Sequence, residues 1–209
     1  MDKFVIGIPT INQKELLVEA VNKYVKDFPN TNIYIVDNGK QNIKFDFSNV
    51  YVFNQFVNIG VSDSWNLLAN LTFYGIHAAE NALILNDDVY LGKKESDILS
   101  VIDEGFDFSV SHGTWCSFLL PKKTFELVGD FDNQFFPAYF EDNDYHTRMK
   151  LHNLNYNVTE KLTPEIFRNS CTIKKDPSLN QNFDLNKQKY ITKWGGEPGK
   201  EIFKTPYNA

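Results

Sequence analysis

Cysteine is scarce in this chain. Cys116 and Cys171 are too few and too far apart for a disulfide framework or a zinc cluster, so two reduced thiols in a cytosolic protein are expected. No apolar run approaches the ~20 residues of a membrane helix, so no transmembrane segment is expected. Met1-Asp2-Lys3-Phe4 has no signal-peptide pattern and leads into a strand-like segment, which makes a cytoplasmic location the expectation. The triplets Asn70-Leu71-Thr72 and Asn157-Val158-Thr159 then count as chance matches to a glycosylation acceptor. A glycine-rich phosphate loop is missing too. Gly7-Ile8-Pro9-Thr10-Ile11-Asn12 holds one glycine and no cation before Lys14, and residues 195–200 have no Ser or Thr after the lysine. That disfavours a nucleotidyltransferase. Positive charge is in deficit: the net charge of −6 and pI near 5.2 weigh against stable nucleic-acid binding.

What is present is enough for a core. Hydrophobic residues make up 42% and aromatic residues 15% of 209, which supports one folded domain and argues against disorder. There is neither an internal repeat nor an interdomain linker. Phe4 to Ile8, Ile33-Tyr34-Ile35-Val36, Val50-Tyr51-Val52-Phe53 and Leu83-Ile84-Leu85 read as buried strands. Between them, Leu16, Leu17, Ala20, Val21, Tyr24 and Val25 repeat at helical spacing. So do Trp65, Leu68, Ala69, Thr72 and Ile76, after Ser62 or Asp63 as N-cap. Strand–helix alternation predicts an α/β fold, a mainly parallel sheet flanked by helices. Ligands of such sheets bind beyond the carboxyl ends of the strands.

The second half is less regular. Residues 106–110 and 117–120 read as strands, and Pro121 opens a short helix over Phe125 and Leu127. A further helix is expected over residues 143–152, with Tyr145, Met149 and His152 on one side. The polar tail is expected to wrap the domain.

Two acidic clusters stand out. Asn86-Asp87-Asp88 ends the fourth strand. It can hold a divalent cation on a diphosphate, or merely open a turn. Phe140-Glu141-Asp142-Asn143-Asp144 opens a helix, where carboxylates can serve the helix dipole alone. Asp144 can pair with Arg148 at i,i+4 spacing, worth about 0.3–0.5 kcal/mol on an exposed face. Glu141 and Asp142 have no local cation, which leaves them for chemistry. Asn12 could be a helix cap, and Asp37-Asn38-Gly39 a plain turn. Lys193-Trp194-Gly195-Gly196 is either a tail packing its tryptophan on the core or an arm carrying its lysine over phosphates.

The order of these segments resembles the inverting family 2 glycosyltransferases, which have the GT-A fold. Phe4 to Asn12 is similar to their opening strand and turn, and Ile33 to Gly39 to their second strand with its acidic turn. Asn58-Ile59-Gly60-Val61-Ser62 with Trp65-Asn66 resembles the opening of their next helix. Leu83-Ile84-Leu85-Asn86-Asp87-Asp88 is similar to the Asp-x-Asp motif with Asn in first place. Val128-Gly129-Asp130-Phe131-Asp132 through Glu141-Asp142 to Arg148 resembles the acceptor-side segment of rhamnosyltransferase-like members. The tail around Tyr190 to Pro206 more loosely resembles small stand-alone or virus-encoded members.

The resemblance implies a metal-dependent inverting transferase acting from a nucleoside diphosphate sugar, a UDP sugar by expectation, onto a glycan or other hydroxyl acceptor. Pro9, Thr10, Asn12, Asp37 and Asn38 would hold base and ribose, with Asn58, Gly60 and Asn66 near the nucleotide and Asp87 near the ribose or sugar. Asp88 would carry Mn2+ or Mg2+. Asp142 would be the base, its pKa raised by crowding, with Glu141 beside it. No histidine follows His152, so the later histidine of some members is missing or replaced by Lys193. Residues 1–90 would form the donor half, 91–170 the acceptor half and 171–209 a C-terminal arm. A non-catalytic nucleotide-sugar-binding module of the same fold is the alternative.

Overall fold

The structure, a computed structural model, describes residues 3–168 and 171–209, with nothing given for the side chains of Cys171 and Ile173. The expected Cys171 thiol therefore lies outside the described residues. Cys116 is a buried free thiol.

In the first half, β1 (Val5–Thr10), α1 (Lys14–Asp27), β2 (Ile33–Asp37), β3 (Val50–Asn54), α2 (Gly60–Tyr74) and β4 (Asn81–Leu85) follow one another. These strands pair in parallel, with Ile6 opposite Ile33 and Leu83, and Ile33 opposite Val50. Then come β5 (Val89–Tyr90), α3 (Glu95–Asp103), β6 (Phe108–Val110), β7 (Ser117–Pro121), α4 (Lys122–Val128) and α5 (Glu141–Leu151). The chain finishes with β8 (Tyr156–Val158), β9 (Ile166–Phe167), α6 (Cys171–Lys175) and α7 (Phe183–Trp194).

The main sheet has the order β3-β2-β1-β4-β7-β6-β8, and β7 runs antiparallel to both its neighbours. β5 and β9 form a separate antiparallel pair. Alternation along the strands divides the core between the two faces. Ile6, Ile8, Leu83 and Leu85 meet Leu17, Val21 and Tyr24 of α1 and Ile98 and Val101 of α3. On the other face Val5, Ala82, Ile84 and Phe118 meet Trp65 and Leu68 of α2, Phe125 of α4 and Tyr145 and Met149 of α5. Gly7 sets the spacing there: a Cβ would lie 2.7 Å from Ile84 Cδ1 and 3.2 Å from Leu68 Cδ2, so its absence lets α2 close on β1.

Several boundaries differ from the sequence expectation. α2 starts at Gly60, not after Ser62 or Asp63, because Gly60 turns the chain at φ +80° and Asn58 Oδ1 accepts from its N–H at 2.9 Å. Ser62 lies inside the helix and donates to Asp132 O. Ile76 lies beyond the helix and is exposed, as are Leu127 and His152. β6 starts at Phe108 rather than at Phe106. The N-cap of α1 is Gln13, and Asn12 sits before it at φ 57°.

Candidate active site

The carboxyl ends of β1 and β4, the start of α2 and the start of α5 open on one groove of about 330 Å³. Pro9, Thr10, Asn38, Asn58, Gly60, Asp87, Asp88, Glu141 and Asp142 all line it. A parallel sheet brings strand ends to one rim, which is why residues so far apart in sequence meet here.

One wall is tightly bonded. Asp87 is buried and accepts from Thr10 Oγ1 at 2.7 Å, Ile11 N at 3.3 Å and Thr172 Oγ1 at 3.4 Å. Its carboxyl is nevertheless pushed up to about 7, first by burial and then by the neighbouring Asp88 charge, while the Thr10 bond opposes the rise. Asp88 is buried beside it. Asn38 Nδ2 donates to Ser64 Oγ at 2.7 Å, tying the end of β2 to α2.

The other wall has a different character. Tyr139 and Phe140 both have left-handed backbones, φ 76° and 75°, costing about 1–3 kcal/mol each, and they aim the start of α5 at the groove. Glu141 is 7% exposed and its Oε2 has no hydrogen-bond partner. Burial, then the charge of Asp142, raises its pKa well above the glutamate range. Asp142 Oδ1 accepts from Asn143 N at 2.7 Å, and burial raises its pKa as well. Desolvation leads here, not the carboxylate crowding expected from the sequence. The charge of Asp144 is already answered.

Asp144 turns away from the groove into the protein. The pairing with Arg148 holds at 2.9 Å, but Asp144 is fully buried, not on an exposed face. Its other oxygen takes Lys193 Nζ at 2.6 Å and Trp194 Nε1 at 2.9 Å. Lys193 also reaches Asp132 at 2.6 Å, and Arg148 donates to Val128 O and Asp130 O at 2.8 Å each. Trp194 and Tyr190 of α7 pack with Phe135 and Phe140.

Four expected donor residues do not join the groove lining. Lys193 is the clearest correction: its ammonium is consumed by Asp132 and Asp144, so the packed tail is realised and the phosphate arm is not. Asp37 gives its oxygens to Gly39 N, Gln41 N and Gln41 Nε2, fixing the turn after β2. Asn66 clips Phe131 through both its main-chain N–H and its carbonyl, at 2.7 and 2.8 Å. Asn12 lies in a neighbouring shallow site with Lys14, Gln41 and Asp176. Sequence reasoning missed Thr114, Trp115, Pro137, Tyr139 and Thr172 as groove residues. A signal existed for two of them: Gly113, next to Thr114-Trp115, lies between two strand-like runs and marks the turn that the structure makes there at φ 78°.

The architecture is the GT-A fold. Two solved glycosyltransferases share it. One is the mannosyltransferase PcManGT from Pyrobaculum calidifontis, in complex with GDP-Man and Mn2+. It matches at TM-score 0.64 and 12% identity over 94% of this chain and 66% of that one. The second is GalNAc-T7 with UDP, GalNAc and Mn2+, at TM-score 0.65 and 10% identity over 91% of this chain and 50% of that one. The chain thus spans about two thirds of one and half of the other. At such identity the likeness is one of fold. No protein-family model and no curated protein matches the sequence. Among the described residues, no helix is long and apolar enough to cross a membrane.

Proposed function

We propose that this chain is a metal-dependent inverting glycosyltransferase of the family 2 type, moving a sugar from a UDP sugar to an acceptor hydroxyl. The observation that carries the reading is that two carboxylate pairs from distant parts of the sequence, Asp87-Asp88 and Glu141-Asp142, line one groove. Residues 1–90 then serve as the donor half, residues 91–170 as the acceptor half and residues 171–209 as an arm that also reaches the groove through Thr172 and Leu179.

The groove's donor chemistry suits a hard divalent cation. Carboxylate and amide oxygens of Asn86, Asp87 and Asp88 gather at the end of β4, whereas no Lys, Arg or His is among the described residues lining the groove. No group of three or more His, Cys, Asp and Glu is placed to hold an ion among the described residues, so the diphosphate would complete the coordination. Mn2+ or Mg2+ held at Asp88 would supply the charge that offsets the leaving diphosphate. Pro9, Thr10, Asn38 and Asn58 bind base and ribose in this reading, with Gly60 and Asp87 beside them. Asp142 takes the proton of the acceptor hydroxyl, which attacks the anomeric carbon from the face opposite the diphosphate. A raised carboxyl pKa makes Asp142 the stronger base for that transfer. Asp37 and Asn66 act by shaping the rim, and Lys193 by holding α5.

A thermal-shift screen of nucleotide sugars with and without Mn2+, followed by UDP-sugar hydrolysis in the absence of acceptor, tests the reading. Hydrolysis abolished by chelator and by Asp88→Ala supports it. UDP binding with no turnover on any donor, and no change on Asp142→Asn, would instead mark a non-catalytic binding module.

A further inference from the structure

The groove carries information about the acceptor as well as about the reaction. Four carboxyl groups line it, and no Lys, Arg or His is among its described residues. Beside Glu141 and Asp142, where no basic side chain lines the groove, a carboxylate- or phosphate-bearing acceptor would therefore meet like charge, the metal at Asp88 being taken up by the donor diphosphate. Two buried polar atoms at the groove also lack a partner, Trp65 Nε1 and Glu141 Oε2, on side chains 4% and 7% exposed. Buried donors and acceptors are usually satisfied in folded proteins, and these two belong to side chains that line the groove, where a ligand can supply the missing bonds. Trp65, Trp115 and Tyr139 add aromatic surface to the same wall. Trp115 is held in place by Phe108 at 4.6 Å and Phe118 at 5.3 Å between ring centres. Aromatic walls with a few fixed polar groups suit a ligand that is apolar on its faces and hydroxylated at its edges.

We propose that the acceptor is an uncharged carbohydrate, a neutral pyranose that packs on Trp115 and Tyr139. Its attacking hydroxyl meets Asp142, and neighbouring oxygens meet Trp65 Nε1 and Glu141 Oε2. The assignment of Asp142 rests on the function proposed above; the neutrality of the ligand and the two unpartnered atoms do not. Burial keeps Glu141 protonated further up the pH scale than an ordinary glutamate, so its carboxyl can donate to a sugar oxygen.

The test is saturation-transfer NMR on the whole chain with UDP and Mn2+. The probes are methyl glycosides of neutral hexoses, each set against its uronic acid and its phosphate ester. Neutral glycosides are expected to bind at least tenfold more tightly than their acidic counterparts. Trp65→Phe, which removes the indole N–H, and Glu141→Leu, which removes the carboxyl, should each weaken neutral binding about 3- to 10-fold. Thr114→Lys, placing a cation on the groove wall, should recover the acidic sugars, a gain that misfolding cannot produce. Acidic sugars binding as well as neutral ones, no neutral sugar binding, or wild-type binding by both weakening variants would overturn the inference. Donor hydrolysis measured in parallel separates the two proposals. Neutral binding without hydrolysis sinks the enzymatic reading alone, and hydrolysis with a preference for acidic sugars sinks this inference alone.

Discussion

The two acidic walls of the groove are built in opposite ways. At the end of β4 the carboxylate itself is secured, because Thr10, Ile11 and Thr172 all donate to Asp87. At the start of α5 the buried Glu141 Oε2 has no hydrogen-bond partner, and the bonding lies one turn behind it. There Asp144 collects Arg148, Lys193 and Trp194. The first wall owes its geometry to adjacent strand ends. The second depends on a helix that arrives from the far end of the chain.

The difference can be broken by substitution. Asp142→Asn is expected to cost about 10²–10⁴-fold in transfer rate while the melting temperature and UDP binding stay near wild type. Undiminished turnover would remove Asp142 from the chemistry. Next comes Lys193→Met, which strands the Asp132 and Asp144 carboxylates without their buried cation and should cost about 3–5 kcal/mol in urea unfolding. A near-neutral result would mean that α7 is not what steadies the second wall. Asn66→Ala, on the strand-end side, loses both clips to Phe131 and should cost about 1–3 kcal/mol by the same measurement.

The smallest effect is one of pH. Burial, then the charge of Asp142, holds Glu141 above its unfolded value, so the folded chain keeps a proton that the unfolded chain releases. That contribution is fully present below the unfolded glutamate pKa, about 4.3, and is lost as pH rises through the raised folded value. Glu141→Gln should remove up to about 1.4 kcal/mol per pH unit of this decline. Urea midpoints at stepped pH check it, and an unchanged slope would contradict the assignment.

The strands and helices of the first half were legible because buried parallel strands and amphipathic helices write their periods directly into sequence. Both carboxylate pairs were legible for another reason: each sits in consecutive residues, Asp87-Asp88 and Glu141-Asp142. Trp115 and Thr172 were not, since only the sheet order and the path of the tail bring them to the rim. Lys193 shows the limit most clearly. A lysine near a tryptophan in a polar tail gives no sign of which carboxylates it will meet. Asp37 and Asn66 were placed in the right neighbourhood, but local sequence cannot tell whether an amide or carboxylate oxygen faces a ligand or the chain's own backbone.

The reversal of direction at β7 has a consequence for how such a protein can be altered. Because β6 and β7 pair as a hairpin, with Val110 opposite Phe118, the turn that carries Thr114 and Trp115 is bounded by strands that hold their own register. Exchanges in residues 112–115 need not propagate into the strands that present Asp87 and Asp88, whereas Cys116 is tied to them, its carbonyl accepting from Asn86 N at 2.9 Å. Diversity can therefore accumulate on one side of the groove while the other stays constant, and a library confined to that turn is the natural starting point for changing what this chain accepts.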